Sequence, residues 1–245
     1  MALILLTNDD GYDALGFQSL YKELVKTYDV FAVAPRLQQS GASHSLTLRR
    51  PIRVEKIRDT FYSIDGTPTD CVLLAYHDLI KTDIALVVSG INHGPNMGSD
   101  VFYSGTVAAA LQGGSFGINS IAISLSSADY ADFSHAVVYS MRLIDKVLRS
   151  GMERMVLNVN IPEPVIKGEK ITKMGKRIYR DKVIRNNEKE NVMYSVIEGT
   201  LHYKVAADTD FKAVDEHYVS ITPLKLDLTD FERIQAFRQV FEGDS

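Results

Sequence analysis

Short, uninterrupted apolar runs alternate with helix-patterned segments through the first two-thirds of this 245-residue chain. No other feature constrains its fold as much. A strand covered on both faces shows as a continuous apolar run, whereas a surface helix shows apolar residues every three or four positions. Residues 2–6 read as a strand and 16–27 as an amphipathic helix, with Phe17, Leu20, Leu24 and Val25 on one face. Residues 30–34 form the next strand, stopped by Pro35, and 51–54 with 61–64 read as a hairpin or edge pair. Thr67-Pro68-Thr69 signals a helix over 70–80, with Asp70 supporting its N-terminus. Residues 84–88 are a buried strand, 106–112 an Ala-rich helix closed by Gly113-Gly114, and 120–124 a strand. A long helix over 133–149 and a strand over 155–161, ended by Pro162, complete the pattern. Such alternation predicts an α/β fold, a mostly parallel sheet with helices on both faces.

The pattern changes after Pro162-Pro164, which divides the chain into a core, 1–164, and an extension, 165–245. The extension is β-rich and charged to about residue 222. Arg185-Asn186-Asn187-Glu188-Lys189-Glu190-Asn191 reads as a polar turn between arms at 178–184 and 192–197, and the stretch from Lys182 to Lys189 as solvated. A long hairpin is only marginally stable alone, so this one wants cover, as from a second subunit. Residues 231–241 predict a C-terminal amphipathic helix able to dock on a partner.

Bulk properties exclude several classes. Hydrophobic content of 45%, charged content of 24% and a net charge of −4 are ordinary for a globular protein and predict no nucleic-acid polymer as partner. Cys71 is the single cysteine, which rules out an internal disulfide and suits the reducing cytoplasm. In its apolar helix it reads as a core residue. The opening apolar run is too short for a signal-peptide core or a membrane span.

Ligands bind at the carboxyl ends of strands in an open parallel sheet, and polar segments fall at four such ends. Asn8-Asp9-Asp10-Gly11 follows the first strand. Adjacent carboxylates repel, which makes sense if a hard divalent cation such as Mg²⁺ or Mn²⁺ neutralises them, although the same residues also suit an ordinary turn. Ser40-Gly41-Ala42-Ser43-His44-Ser45 follows the second strand, and Ser89-Gly90-Ile91-Asn92-His93-Gly94-Pro95-Asn96 the strand over 84–88. Tyr103-Ser104-Gly105-Thr106 opens the Ala-rich helix, where free N–H groups, the helix dipole and two hydroxyls favour a phosphate and serve equally as an N-cap. The sequence contains no GxxxxGK[ST], GxGxxG or HExxH. Tyr76, Phe102 and Tyr103 could stack on a base, although aromatic residues are more commonly used in the core.

In combination these segments resemble the survival protein SurE family. The resemblance rests on Thr7-Asn8-Asp9-Asp10-Gly11, Ser40-Gly41-Ala42-Ser43, Gly66-Thr67-Pro68-Thr69-Asp70-Cys71, Ser89-Gly90-Ile91-Asn92 with Gly94-Pro95-Asn96, and Tyr103-Ser104-Gly105-Thr106-Val107-Ala108-Ala109-Ala110. Asn158-Val159-Asn160-Ile161-Pro162, Thr209-Asp210-Phe211 and Tyr218-Val219-Ser220-Ile221-Thr222-Pro223-Leu224 extend it. It implies a Rossmann-like three-layer core whose C-terminal extension is exchanged between subunits of a homodimer, itself often paired into a tetramer. It also implies a metal-dependent nucleotidase acting on nucleoside 5′- and 3′-monophosphates, with exopolyphosphatase or general acid phosphatase activity as the alternative. Residue by residue, Asp9, Asp10, Ser40 and Asn92 match the metal ligands, one divalent ion per subunit. Asn96, Ser104, Gly105 and Thr106 match the phosphate-pocket positions, to which the Ser40-Gly41 segment adds Gly41. His93 departs from the family, which commonly has Arg or Ala there, and 163–185 matches loosely.

Together these readings predict metal-assisted hydrolysis of a phosphate monoester. Asp9 or Asp10 would position or deprotonate the attacking water, with Asn96 as a further catalytic residue. His44, His93 and His217 are candidate acids for the departing oxygen, as is a metal-bound water. A non-catalytic nucleotide or phosphate sensor on the same fold is the rival.

Overall fold

A computed structural model describes residues 1–245 apart from 128–131, 164, 190–191, 204–205 and 244–245. Among the described residues, the chain forms β1 (Leu3–Thr7), α1 (Leu15–Leu24), β2 (Asp29–Pro35), β3 (Val54–Arg58), β4 (Phe61–Ile64), α2 (Pro68–Leu74) and β5 (Leu86–His93). There follow α3 (Gly105–Ser115), β6 (Ser120–Ser126), α4 (Ser134–Arg149), β7 (Val156–Pro162) and β8 (Glu169–Ile171). The chain ends with β9 (Arg177–Lys189), β10 (Val192–Tyr203), α5 (Asp210–Asp215), β11 (Val219–Pro223) and α6 (Ile234–Phe241).

Nine strands form one sheet in the order β3-β4-β2-β1-β5-β6-β7-β11-β8. The central pairings, from β4 through β2, β1, β5 and β6 to β7, are all parallel, and β3 and β11 join antiparallel. The alternation along β1 produces the layers. Ile4 and Leu6 pack with Phe17, Leu20 and Leu24 of α1 and with Leu143 and Ile144 of α4. Leu5 points the other way, onto Cys71 and Val72 of α2 and Ala109 of α3. All three strand residues have no exposed surface. Truncating one to alanine costs about 2–5 kcal/mol, because cavity and transfer terms add in such a core. This is the predicted α/β sandwich.

The helix at Pro68 starts on a reciprocal cap. Thr67 Oγ1 accepts the Asp70 N–H at 3.1 Å while Asp70 Oδ2 accepts the Thr67 N–H at 2.8 Å. Asp70 thus supports the helix start as its position suggested, worth about 1 kcal/mol.

Several expected boundaries move, for identifiable reasons. Gly113 and Gly114 do not close α3 but lie inside it. A Cβ on Gly113 would sit 2.5 Å from Ser120 Oγ, and one on Gly114 2.3 Å from Val156 Cγ2. These glycines let the helix lie directly on the sheet. The edge strand expected over 51–54 begins at Val54 and runs to Arg58. The strand expected to stop at residue 88 continues to His93, so Ser89 to His93 are strand rather than loop, with a register shift against β6 between Ser89 and Asn92. Gly90 makes that possible, since its φ is +136° and a Cβ there would lie 2.3 Å from the Ile123 carbonyl oxygen.

In the extension, β8 and β11 complete one margin of the core sheet, while β9 and β10 pair antiparallel as a separate long hairpin. The arms are longer than expected. Arg185 to Lys189 belong to β9 instead of a turn, and the turn residues Glu190 and Asn191 lie outside the described residues. The C-terminal helix starts at Ile234 and buries none of its residues, leaving Phe237, Val240 and Phe241 exposed. No helix among the described residues is long and apolar enough to cross a membrane.

Candidate active site

From β1 the chain first extends the sheet on one side, through β2, and later on the other, through β5. Connections diverge at that point and leave a crevice at the carboxyl ends of the two central strands, where a doubly wound sheet takes its ligands. The crevice is a cleft of about 300 Å³ lined by Asp9, Asp10, Ser40, Gly41, Asn92 and Asn96, with Gln38, His93, Asp100, Tyr103 and Ser104 among the rest of its wall.

Each predicted segment reaches this cleft by its own tether. The Gln39 N–H donates to the Asp9 carbonyl at 2.7 Å, which fixes the loop carrying Ser40 and Gly41 beside β1. Ser40 Oγ accepts from Gln38 Nε2 at 2.8 Å. Farther along, Ser43 donates its N–H to the Tyr103 carbonyl at 3.1 Å and its hydroxyl to the Phe102 carbonyl at 2.6 Å. Asp10 Oδ2 accepts the His93 N–H at 3.0 Å, so the end of β5 orients the second carboxylate. Asn92 Nδ2 donates to the Gly94 carbonyl at 2.7 Å, which leaves its Oδ1 as the acceptor.

Asn96 is held most firmly. Its N–H donates to Asn160 Oδ1 at 2.7 Å and its Nδ2 to Ser124 Oγ at 2.9 Å. Its carbonyl accepts from Asn158 Nδ2 at 2.8 Å and Asn160 Nδ2 at 3.0 Å. Asn158, Asn160 and Ser124 have no exposed surface. Four hydrogen bonds from buried partners onto one residue fix its geometry, although Asn158 Oδ1 itself has no partner among the described residues. The matching segment on β7 was legible in the sequence, but its use in clamping Asn96 was not.

The start of α3 divides its work. Ser104 lines the cleft and caps the helix, its Oγ accepting the Val107 N–H at 3.1 Å. Thr106 has no exposed surface and its hydroxyl donates to Asp9 Oδ1. Thr106 is therefore committed to the carboxylate rather than free to meet a phosphate. Gly105 stands behind Asp9, since a Cβ there would lie 2.9 Å from Asp9 Cβ and 3.0 Å from Pro68 Cγ. Only a residue without a side chain lets helix and carboxylate approach so closely.

Asp9 is only 7% exposed. Burial pushes its carboxyl up to about 6, the Thr106 hydrogen bond opposes that shift, and the neighbouring Asp10 charge adds to it. Asp9, Asp10 and Asp100 line the cleft with no lysine or arginine among the described lining residues. The described residues hold no cluster of three or more His, Cys, Asp or Glu side chains suited to a metal. A cation here would draw on two carboxylates and neutral oxygens, the donor set of a hard divalent ion.

The remaining candidates separate. His93 lines the cleft, with its ring centroid 4.9 Å from that of Phe133. His44 lies on a neighbouring groove, 3.0 Å from Gln112 Oε1, and His217 lines neither cavity. Cys71 is fully buried, and burial pushes its thiol far up, consistent with a core residue. Phe102 and Tyr103 depart from the core use of aromatics, being 55% and 64% exposed. Tyr76 stacks on Phe116 with centroids 4.1 Å apart. Gln38 and Asp100 join the wall without any spacing rule that marks them in the sequence; each neighbours a motif residue.

A family model described as "Survival protein SurE" matches residues 4–181. The chain is 43% identical over 248 residues to a protein named 5′-nucleotidase SurE from Syntrophomonas wolfei, covering 97% of this chain and 94% of that one. It is 44% identical to the protein of the same name from Desulfitobacterium hafniense, with 96% of each chain covered. Among solved structures, a crystal structure of SurE protein from Aquifex aeolicus superposes with a TM-score of 0.87 at 38% identity, covering 97% of this chain and 99% of that one.

Proposed function

Because the chain belongs to the SurE survival-protein family, we propose that it is a divalent-metal-dependent phosphomonoesterase that hydrolyses nucleoside 5′- and 3′-monophosphates to nucleoside and phosphate. The observation that carries this reading is the charge of the cleft. Three aspartates line it and no described lysine or arginine does, so a phosphate could enter only alongside a cation.

Asp9, Asp10, Ser40 and Asn92 would hold one Mg²⁺ or Mn²⁺ ion per subunit. Such an ion supplies Lewis acidity towards a phosphoryl oxygen and makes a coordinated water more acidic. The chain's own residues do the remaining work. Thr106 and the His93 N–H hold the two carboxylates in place. Ser104, Asn96, the Gly41 backbone and the opening N–H groups of α3 take phosphate oxygens, with the helix dipole favouring their charge. The clamp on Asn96 means that little of its amide must reorganise as charge moves on the phosphoryl group. Gly105 and Thr106 act from behind Asp9, one by making room and the other by donating. Asp9 or Asp10 accepts the proton of the attacking water.

We assign the protein to the cytoplasm, in keeping with its one free and buried cysteine. We also propose a homodimer, or a pair of dimers, in which the 165–245 extension reaches the partner. The bare apolar face of α6 supports this, since such a face ordinarily marks a contact surface.

The test is a substrate panel of AMP, GMP, p-nitrophenyl phosphate and polyphosphate, treated with EDTA and then given Mg²⁺ or Mn²⁺ back. Phosphate release from the nucleotides, lost with EDTA and restored by metal, is expected. No release with any metal would leave only the sensor reading. Preferential cleavage of polyphosphate would replace the nucleotide assignment.

A further inference from the structure

Asp9 and Asp10 are consecutive, and along an extended strand consecutive side chains point to opposite faces. Both nevertheless line one cleft, because β1 ends at Thr7 and the backbone turns. Asn8 stands at that departure. It has no exposed surface, and its Nδ2 donates to the Gly11 carbonyl at 2.7 Å, three residues on. The bond closes residues 8–11 into a loop with both carboxylates inside it, a use to which short amide side chains are suited. Gly11 completes the turn with a φ of +106°, and its carbonyl also accepts the Ala14 N–H at 3.2 Å. Asn8 Oδ1 meets no hydrogen-bond donor among the described residues, so among them the bond to Gly11 alone orients the amide.

Resting on the metal-dependent reading above, we propose that Asn8 is a positioning residue for the cation: its tie to Gly11 holds the Asp9-Asp10 turn in the shape that presents both carboxylates to one ion. The other proposed ligands are referred to the same turn. The Asp9 carbonyl accepts the Gln39 N–H at 2.7 Å, next to Ser40, and Asp10 Oδ2 accepts the His93 N–H at 3.0 Å, next to Asn92. A turn that opened would disturb all four ligands. Repulsion between the two carboxylates favours opening, and Asn8 opposes it with a bond shielded from water. An amide does this without bringing a charge of its own. A lysine in its place would compete with the ion for the carboxylates, and an ionised carboxylate would lack the donor. Asn8 therefore acts through its neighbours and touches neither ion nor substrate.

The experiment titrates the full chain with Mn²⁺, followed through the free-ion EPR signal, and measures urea midpoints on the same samples. Asn8→Leu keeps the size of the side chain and removes the donor. Asn8→Ser keeps a hydroxyl that falls a bond short of the Gly11 carbonyl. Ile4→Val trims the core on the preceding strand and leaves the turn alone. Both Asn8 variants are expected to bind Mn²⁺ about tenfold more weakly or worse, the scale of losing a partner of metal ligands. Their release of phosphate from AMP is expected to recover as Mn²⁺ is raised. Ile4→Val is expected to lower the urea midpoint and keep the native affinity. Native affinity in Asn8→Ser, or an equal loss in Ile4→Val, would overturn the assignment, because the amide would then serve the fold alone. Should Asn8→Leu not fold, Asn8→Ser decides by the same measure. An unaltered protein that takes up no Mn²⁺ overturns the metal reading and the assignment with it, a result distinct from native binding that the Asn8 variants leave unchanged.

Discussion

The carboxylate of Asp210 accepts the backbone N–H of Gly98 at 2.7 Å, across 112 residues of sequence. The same side chain accepts the N–H groups of Gly175 at 2.8 Å and Phe211 at 2.9 Å, and has no exposed surface. Gly98 begins the turn that carries Asp100 and leads to Ser104. Gly175 lies just before the first hairpin arm, and a Cβ there would meet Phe211 Cδ2 at 2.4 Å. The junction is thus close-packed backbone on one carboxylate. Asp210→Ala strands three buried donors, so it should lower unfolding free energy by about 3 kcal/mol, as losing a buried charged acceptor does. Urea titration measures the loss. An unchanged midpoint would show that the junction contributes nothing.

Thr106→Val keeps the shape of the side chain and removes the donor to Asp9. Second partners of metal ligands typically govern affinity by about tenfold or more. Metal titration of this variant should show weakened binding, and phosphate release should be restored in part by raising Mn²⁺. Wild-type affinity in the variant would assign the hydroxyl a purely packing role.

Gly105→Ala places a methyl group 2.9 Å from Asp9 Cβ and 3.0 Å from Pro68 Cγ. Neither neighbour is the free end of a flexible side chain. The helix start must move away from the carboxylate, at a cost of about 1–3 kcal/mol as for other overpacked sites. The expected signature is nearly complete loss of phosphate release with a still cooperative thermal transition. Full activity would mean the closeness of α3 and Asp9 is incidental.

The raised proton affinity of Asp9 makes two measurable predictions with opposite signs. A proton and a metal compete for the same oxygens, so apparent metal affinity should fall as pH drops below about 6, approaching tenfold per unit. For the metal-free protein, a folded-state value above the unfolded one favours the protonated fold. Ionised Asp9 therefore destabilises the fold above about 6, and the penalty disappears as pH falls to the unfolded value of 3.8. Asp9→Asn removes it at every pH. Metal-free Asp9→Asn should be more stable than the unaltered protein at pH 8, by about 1–3 kcal/mol, and no more stable at pH 4. A stability difference constant across that range would refute the buried-carboxylate account.

What the sequence made legible follows from how local each signal is. The runs at β1, β2 and β5 announce doubly covered strands because burial on both faces leaves no polar residue in them. Asp9, Asp10, Ser40, Asn92 and Ser104 could be assigned to one place because a parallel sheet brings all strand ends to one edge. The continuation of β5 through Gly90 was hidden, since a glycine inside a strand reads as a breaker until its close approach to Ile123 is known. Gly113 and Gly114 misled for the same reason. The clamp of Asn158 and Asn160 on Asn96, and the Asp210 junction, depend on pairs 62 to 112 positions apart. No periodicity or spacing encodes those. A polar residue at alternate positions of a buried strand, as Asn158 and Asn160 are, was the one local hint that β7 serves something beyond packing.

Every described residue lining the cleft comes from the first 104 positions of the chain. Several of the parts that hold them still do not: Ser124 lies on β6, Asn158 and Asn160 on β7, and Asp210 at the head of α5. Cutting the gene after residue 126 would therefore keep every described lining group but remove the β7 clamp on Asn96 and the Asp210 junction beneath Gly98. For anyone minimising or splicing this protein, the boundary of the catalyst lies beyond residue 210.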